Sequence, residues 1–207
     1  MSKTARKHAN TVTVGEFSCL VAEVRDVPIV ALGTTGIGKT DAVYQAASVT
    51  GERVVVVTIG SLREEDIAGI PVMYPSLEGA EYVRWVPPHF LYELSESSAS
   101  GGPALLFFDE GNATPNPRVF PVLYRLFLER RVDTCTLREN VRLLLAGNEV
   151  EDSDLVQELP APLRTRALVV HVVVDVGEWL AWARSSGVDP FVTEFIAEHP
   201  DYLVHGD

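Results

Sequence analysis

Residues 31–42, ALGTTGIGKTDA, decide the fold of this chain. They contain the pattern Gly-x-x-x-x-Gly-Lys-[Ser/Thr]. Four residues take the fixed places of that pattern: Gly33, Gly38, Lys39 and Thr40. A β-rich run over 27–32 comes directly before the loop, and apolar residues at helical spacing over 41–48 come directly after it. The order strand, glycine-rich loop, helix predicts a loop whose backbone N–H groups and helix dipole hold a polyphosphate.

We expect the whole loop to take part in nucleotide binding. The predicted binding residues run from the first glycine into the first turn of the helix: Gly33, Thr34, Thr35, Gly36, Ile37, Gly38, Lys39, Thr40 and Asp41. Lys39 is expected to reach the β- and γ-phosphates, and the Thr40 hydroxyl is expected to ligate Mg²⁺. The alternative is a glycine- and threonine-rich turn that only joins two core elements.

Five β-rich segments alternate with helical ones along the chain. They cover residues 27–32, 53–59, 104–108, 141–146 and 167–174. Each is a nearly continuous apolar run, as expected for strands that helices cover on both faces. We therefore predict a P-loop NTPase fold, a three-layer α/β/α arrangement with a mostly parallel five-stranded sheet. Ligands of such sheets bind at the carboxyl ends of the strands, so the residues after each run are the candidates for chemistry.

Two carboxylates follow the third run, which is the pattern of the second nucleotide-binding element of P-loop ATPases. Asp109 would hold Mg²⁺ through water, and Glu110 would polarise the attacking water. Two acids at a solvated strand end are the alternative. Asn148 follows the fourth run and would lie beside Glu110, where it could orient the water or sense the γ-phosphate. An asparagine at such a place is otherwise a turn residue or a helix cap.

Two arginines, Arg164 and Arg166, precede the fifth run. An arginine offered to the γ-phosphate of another subunit would act as an arginine finger. The alternative is a pair of surface arginines that balance the acid cluster over 149–154. The residues by themselves leave both possibilities open.

Four stretches in this order, GTTGIGKT, LLFFDEGNA, LLLAGN and LPAPLRTRA, resemble those of an AAA+ ATPase. Within that group the chain is similar to the MoxR-type branch, on the stretches EEDIAGIP over 64–71, WVPP over 85–88 and LERRV over 128–132. The resemblance runs from about residue 28 to residue 174. It implies ATP binding and hydrolysis, assembly into a ring that is usually hexameric, and remodelling of a partner protein, often one with a von Willebrand A-type domain.

The same resemblance implies roles for single residues. Asn148 takes the place of the sensor-1 residue, and Arg166 is favoured over Arg164 as the arginine finger. The family has the motif Leu-x-x-Arg-Phe at this place, with Phe directly after the arginine. This chain has Ala167 there instead, which weakens the anchoring implied for Arg166. Residues 72–84 would form an insert near the ring pore, and Gly79 suits a hairpin there, although an ordinary surface loop fits nearly as well.

The predicted organisation is a tail and lead-in segment over 1–26, a nucleotide-binding core over 27–176 and a helical segment over 177–207. That last segment resembles the start of an AAA+ lid that is incomplete and lacks a sensor-2 arginine. The competing function is a module that binds nucleotide without hydrolysing it and uses it to oligomerise or bind a partner. Pro121 falls inside a predicted helix over 119–131, so it must lie in the first turn or kink the helix.

Charge and composition narrow the function classes. The net charge is −12, from 17 basic and 29 acidic residues, which argues against a motor that grips nucleic acid. No apolar run is long enough to cross a bilayer, and no signal-peptide pattern follows the basic start. The two cysteines form no disulfide framework or metal cluster. We expect a cytoplasmic protein with reduced thiols.

Overall fold

The computed structural model describes residues 10–75, 81–99, 101–149, 156 and 158–203. The strands within those residues are β1 (Thr11–Thr13), β2 (Ile29–Leu32), β3 (Arg53–Thr58), β4 (Ile70–Pro75), β5 (Glu81–Val86), β6 (Ala104–Asp109), β7 (Arg131–Val132), β8 (Cys135–Thr136), β9 (Val141–Gly147) and β10 (Leu168–Val173). The helices are α1 (Val14–Glu23), α2 (Lys39–Thr50), α3 (Glu65–Ala68), α4 (His89–Leu94), α5 (Val119–Glu129), α6 (Ala161–Arg164), α7 (Val176–Ser185) and α8 (Pro190–Glu198). Short 3₁₀ turns cover Ile59–Ser61 and Pro200–Leu203.

The central sheet has the strand order β1-β10-β2-β9-β6-β3, and every neighbouring pair is parallel. The predicted fold class and all five predicted strands are confirmed. The predicted number of strands is wrong, because the sheet has six. The sixth is β1, whose three residues pair with the end of β10, Thr11 opposite His171 and Thr13 opposite Val173. A Thr-Val-Thr segment is too short to show a periodic pattern.

Alternate side chains of the central strands enter two separate cores, one on each face of the sheet. Leu105 and Phe107 of β6 pack on the side of α1 and α2. Leu106 and Phe108 pack on the other side, against α5 and its neighbours. All four are buried. The near-continuous apolar runs are explained by this double coverage, because both faces of each central strand are removed from water.

A buried ion pair links β9, the residue before β3 and the C-terminal end of α1. The Arg142 guanidinium of β9 donates to both carboxylate oxygens of Glu52, at 2.7 and 2.5 Å. The same guanidinium donates to the Val21 and Val24 carbonyls at the C-terminal end of α1, at 2.6 and 2.8 Å. The side chains of Glu52 and Arg142 are only 1% and 9% exposed, so water screens the pair little. Arg142 thus links the end of α1 and the residue before β3 to strand β9.

Other arginines of the segment 125–142 are also used inside the fold. Arg130 donates to the backbone carbonyls of Arg138 and Val141, and Arg138 donates to those of Glu93 and Ser95. These guanidinium groups are partly buried. Arg125 and Arg131 are half-exposed and both form ion pairs with Glu129. Three of the five arginines of this segment are thus hydrogen-bonded inside the fold, and the other two are paired with an acid at the surface.

Two further features follow the sequence pattern. Pro121 is the third residue of α5, in the first turn, where a missing N–H breaks no helical hydrogen bond. Strands β4 and β5 form an antiparallel hairpin in which Tyr74 pairs with Tyr82. Met73 and Val83 of this hairpin are 58% and 55% exposed. The predicted turn at Gly79 lies outside the described residues.

The helices α7 and α8 follow the last strand. Asp175 caps α7 by accepting from the Glu178 N–H at 2.8 Å. The Glu178 carboxylate in turn accepts from the Gly15 N–H in the first turn of α1 at 2.5 Å. This hydrogen bond joins α7 to α1. None of the helices in the described ranges is long and apolar enough to cross a bilayer.

We predict that Glu52→Gln lowers the free energy of unfolding by about 3 kcal/mol, because the buried Arg142 charge loses its partner. Urea denaturation at pH 7 would measure the loss. The matched control is Glu93→Gln, which breaks the Arg53–Glu93 pair of half-exposed side chains 3.3 Å apart. An exposed pair contributes about 1 kcal/mol or less. Equal losses in both variants would contradict the role given to Glu52.

The same pair predicts a pH dependence. Burial raises the pKa of Glu52, but hydrogen bonds from Arg142 and Thr50 and the charges of Arg142 and Arg25 outweigh it, so the pKa lies below its ordinary value of 4.5. A lowered carboxyl pKa gives stability that is present above the unfolded value and lost as the pH falls through the folded value. The difference between the wild-type chain and Glu52→Gln should therefore shrink below about pH 4.5, in urea titrations at several pH values.

Candidate functional site

The loop between β2 and α2 has the backbone that the sequence pattern requires. A Cβ at Gly33 would lie 2.5 Å from the Val172 carbonyl oxygen of β10, so only glycine fits there. The Gly33 N–H donates to the Gly147 carbonyl at 3.2 Å and holds the loop against β9. Gly36 and Gly38 have φ values of 81° and 97°, which side chains with a Cβ rarely adopt. Close packing and backbone geometry together explain the glycines.

The Lys39 ammonium lies inside the loop. Its Nζ donates to the carbonyl oxygens of Gly33 and Thr34, at 2.6 and 2.9 Å. The residue is only 7% exposed, so its charge is largely removed from bulk water. A buried ammonium in a glycine-rich loop attracts anionic oxygens strongly, because little solvent screens it.

Thr40 and Asp109 meet at the point where α2 begins and β6 ends. The Thr40 hydroxyl donates to Asp109 Oδ2 at 2.8 Å. The second oxygen, Oδ1, accepts from the Glu110 N–H at 2.9 Å. A hydroxyl and a carboxylate so close together are the hard oxygen donors that Mg²⁺ prefers, so the residues fit that cation.

Glu110 has an unusual backbone. Its φ is 53°, in the left-handed region that non-glycine residues seldom occupy. The next residue helps to explain it: the Gly111 N–H donates to the Ala146 carbonyl of β9 at 2.7 Å, and a Cβ at Gly111 would lie 2.3 Å from Leu145 Cγ. The chain must turn sharply after β6 to make this approach. The turn leaves the Glu110 side chain exposed at the sheet edge.

Asn148 is held by a residue that was not among the predicted site residues. The buried Asn112 side chain donates through Nδ2 to the Asn148 carbonyl at 2.8 Å and accepts through Oδ1 from the Asn148 N–H at 2.8 Å. This reciprocal pair fixes the backbone of Asn148 and leaves its own side-chain amide available. The sequence offered one indication of this role, since Asn112 directly follows Asp109-Glu110-Gly111 at the end of a predicted strand.

A cavity of about 270 Å³ gathers most of these residues. Its lining comes from the loop, from α2 and from the ends of β6 and β9: Thr35, Gly36, Gly38, Lys39, Thr40, Asp41, Asp109, Glu110 and Asn148. Gly33 and Thr34 supply carbonyls to Lys39 instead of lining the cavity. We call this space the phosphate cavity.

The charges around the phosphate cavity are unbalanced. One ammonium, that of Lys39, stands among the carboxylates of Asp41, Asp109 and Glu110. A polyphosphate would meet net repulsion there unless a cation entered with it. The lining therefore suits a phosphate chain together with a divalent cation better than a free phosphate chain.

A second cavity, of about 330 Å³, adjoins the first and shares Gly36, Gly38 and Asp41 with it. Apolar side chains from α1, the loop and α7 line much of it, among them Val14, Ile37 and Trp179. Sites for flat rings in proteins have this character, with a lining that is largely apolar and aromatic. We call this space the base cavity. The sequence pattern indicated Gly36, Ile37, Gly38 and Asp41 of this lining, whereas most of its other residues come from α1 and from the C-terminal segment.

The two predicted arginines lie away from both cavities. Leu168 at the start of β10 pairs with Ile29 at the start of β2, so the residues just before β10 lie at the sheet edge opposite the loop. Arg164 forms an ion pair with Glu158. The Arg166 side chain is exposed, and its guanidinium makes no hydrogen bond or ion pair with any residue that the structure describes. Neither arginine is brought to the phosphate cavity of its own chain.

Comparison with known proteins gives similarity in structure alone. No protein-family model matches the chain, and no curated protein matches it. A candidate ATPase from Cytophaga hutchinsonii is similar with a TM-score of 0.53 and 19% identity, over 86% of this chain and 51% of that one. The P216G mutant of Thermotoga maritima RuvB is similar with a TM-score of 0.50 and 19% identity, over 80% of this chain and 45% of that one. The chain thus spans about half the length of these proteins, and it shares with them a three-layer α/β/α fold.

Proposed function

We propose that this chain is a MoxR-like AAA+ ATPase that binds ATP with Mg²⁺ and hydrolyses it. One observation carries the proposal. A single cavity contains the buried Lys39 ammonium, the hydrogen-bonded Thr40–Asp109 pair and the exposed Glu110 carboxylate, and it opens beside an apolar base cavity. A turn that only joined two core elements would need none of these side chains.

ATP would lie across the loop, with its phosphates in the phosphate cavity and its base in the base cavity. The Lys39 ammonium would exchange its bonds to the Gly33 and Thr34 carbonyls for bonds to phosphate oxygens. The loop N–H groups and the start of α2 would hold the phosphate chain, because the positive end of the helix dipole points there. Trp179 would cover one side of the base.

Mg²⁺ would be held by Thr40 and, through water, by Asp109. Bound there, it would neutralise phosphate charge and so remove the repulsion from the carboxylates of the cavity. The Glu110 carboxylate would accept a proton from the attacking water. The Asn148 amide would orient that water or contact the γ-phosphate, with Asn112 holding Asn148 in place.

Assembly would complete the site. Arg166 lies at the sheet edge opposite the loop, so it could reach a phosphate cavity only in another copy of the chain. A contact between unlike edges of identical subunits is heterologous, and repeated copies of it close into a ring when the rotation allows. We propose a homo-oligomeric ring, hexameric as in the resembling family, with Arg166 as the arginine finger and Arg164 as its neighbour. The ring would remodel a partner protein, such as one with a von Willebrand A-type domain.

A second function is a module that binds nucleotide without hydrolysing it. The observation that favours it is the absence of arginine from the described lining of both cavities. Under this function ATP would order the loop and the C-terminal helices for binding or oligomerisation, and turnover would be absent. The two functions differ in one measurement, steady-state phosphate release by the purified chain over a wide range of protein concentration.

We predict that Lys39→Ala weakens Mg²⁺·ATP binding by about 10- to 100-fold, the loss expected for hydrogen bonds to a charged group. Isothermal titration calorimetry would measure the affinity. Arg184 of α7 is exposed and lines neither cavity, so Arg184→Ala serves as a control for the loss of one positive charge. Unchanged affinity in Lys39→Ala would overturn the proposed phosphate site.

We predict that Glu110→Gln retains ATP binding and lowers kcat by about 10²- to 10⁴-fold, because the amide cannot accept the proton from water. Phosphate release and calorimetry on the same preparation would separate turnover from affinity. The control is Glu65→Gln, an exposed acid in the short helix α3. Turnover equal to that of the wild-type chain would contradict the role of Glu110.

We predict that Arg166→Ala and Lys39→Ala are each inactive alone and regain turnover when mixed. In a mixed oligomer an intact site of the Arg166→Ala chain can receive an arginine from its Lys39→Ala neighbour. Phosphate release against the mixing ratio, with light scattering to follow assembly, would measure the gain. Arg184→Ala, which removes an exposed arginine of α7, should remain active alone. Full activity of Arg166→Ala alone would rule out the finger.

A further inference from the structure

The short 3₁₀ turn after β3 lies directly beside the Glu110 side chain. Gly60 belongs to the short 3₁₀ turn that follows β3, and β3 is the neighbour of β6 in the sheet. Thr58, the last residue of β3, pairs with Asp109, so Gly60 is two residues past the level of Asp109. The sheet register therefore brings Gly60 to the same edge as the proposed catalytic carboxylate.

The space above Gly60 is occupied by that carboxylate. A Cβ placed on Gly60 would lie 2.7 Å from Glu110 Oε2 and 3.3 Å from the Ala113 carbonyl oxygen. Non-bonded carbon and oxygen atoms require more than about 3 Å, so a side chain at position 60 and the present position of the carboxylate exclude each other. The φ of Gly60 is not in the left-handed region, so its backbone would accept alanine. The need for glycine here comes from the neighbouring carboxylate and does not come from backbone conformation.

The Glu110 backbone is fixed, and its exposed side chain can turn only about its own bonds. Its φ of 53° and the close approach of Gly111 to Leu145 fix where the Glu110 side chain begins. Its backbone N–H is held by Asp109 Oδ1 at 2.9 Å. A Cβ at position 60 would therefore turn the flexible carboxylate end away from the place that the glycine leaves open to it.

We propose that Gly60 is a positioning residue for ATP hydrolysis, which sets the position of the Glu110 carboxylate by leaving space for it. The inference rests on the proposed function of Glu110. A shift of about 1 Å in a catalytic group can lower a rate by about 100-fold. An added methyl group at position 60 therefore acts on turnover and leaves the loop that binds ATP untouched.

The test is Gly60→Ala, for which we expect kcat to fall about 10- to 100-fold while KM and the ATP affinity change less than 2-fold. The matched control is Gly102→Ala, since a Cβ at Gly102 would meet nothing within 4 Å. In the Glu110→Gln background, Gly60→Ala should lower the remaining single-turnover rate no further. A decrease in both backgrounds, or unchanged or increased kcat in Gly60→Ala alone, would overturn the inference.

A measurement without turnover tests the contact itself. The change in thermal midpoint caused by Gly60→Ala should be less favourable in the wild-type chain than in the Glu110→Ala background, where the carboxylate is gone. Equal shifts in both backgrounds would overturn the contact. If the wild-type chain binds ATP but does not hydrolyse it, or if Glu110→Gln keeps full turnover, the proposed function fails and the role of Gly60 fails with it. If Glu110→Gln is inactive and Gly60→Ala is fully active, only the inference fails.

Discussion

The parallel hydrogen bonding of β2, β9 and β6 is the constraint on which the site depends. Parallel strands in register end at the same edge of the sheet. The loop after β2, the carboxylates at the end of β6 and Asn148 after β9 are therefore neighbours in space, although more than 100 residues separate the loop from Asn148. The ladder also explains the glycines at this edge. Gly33 and Gly111 lie where one strand end passes close to another, and a side chain would separate them.

The features that could be predicted from the sequence are those encoded locally. A strand, a glycine-rich loop and a helix occupy adjacent residues, and the Thr40–Asp109 contact follows once both elements lie in a parallel sheet. The five longer strands of the central sheet were equally visible, because burial on both faces leaves a continuous apolar run. The ring of Pro121 required it either to lie in the first turn of a helix or to kink the helix, and it lies in the first turn of α5.

The rest depends on contacts between distant residues that leave no local pattern. Glu52 and Arg142 are 90 residues apart, and nothing in either segment marks them as partners. Two walls of the base cavity come from α1 and α7, near opposite ends of the chain, so Val14 and Trp179 could be assigned only from the structure. β1 was missed for a similar reason, since three residues become a strand only when β10 supplies the hydrogen bonds.

The left-handed backbone of Glu110 also lowers the free energy of unfolding at the position that carries the proposed base. A non-glycine residue in that conformation is less stable by about 1 kcal/mol than glycine would be. A chain selected for stability alone would replace Glu110 by glycine, which satisfies the turn but carries no carboxylate. Engineering programmes that rank substitutions by folding free energy would therefore select against the acid at this position, and a stabilised descendant of this chain should be checked there before anywhere else.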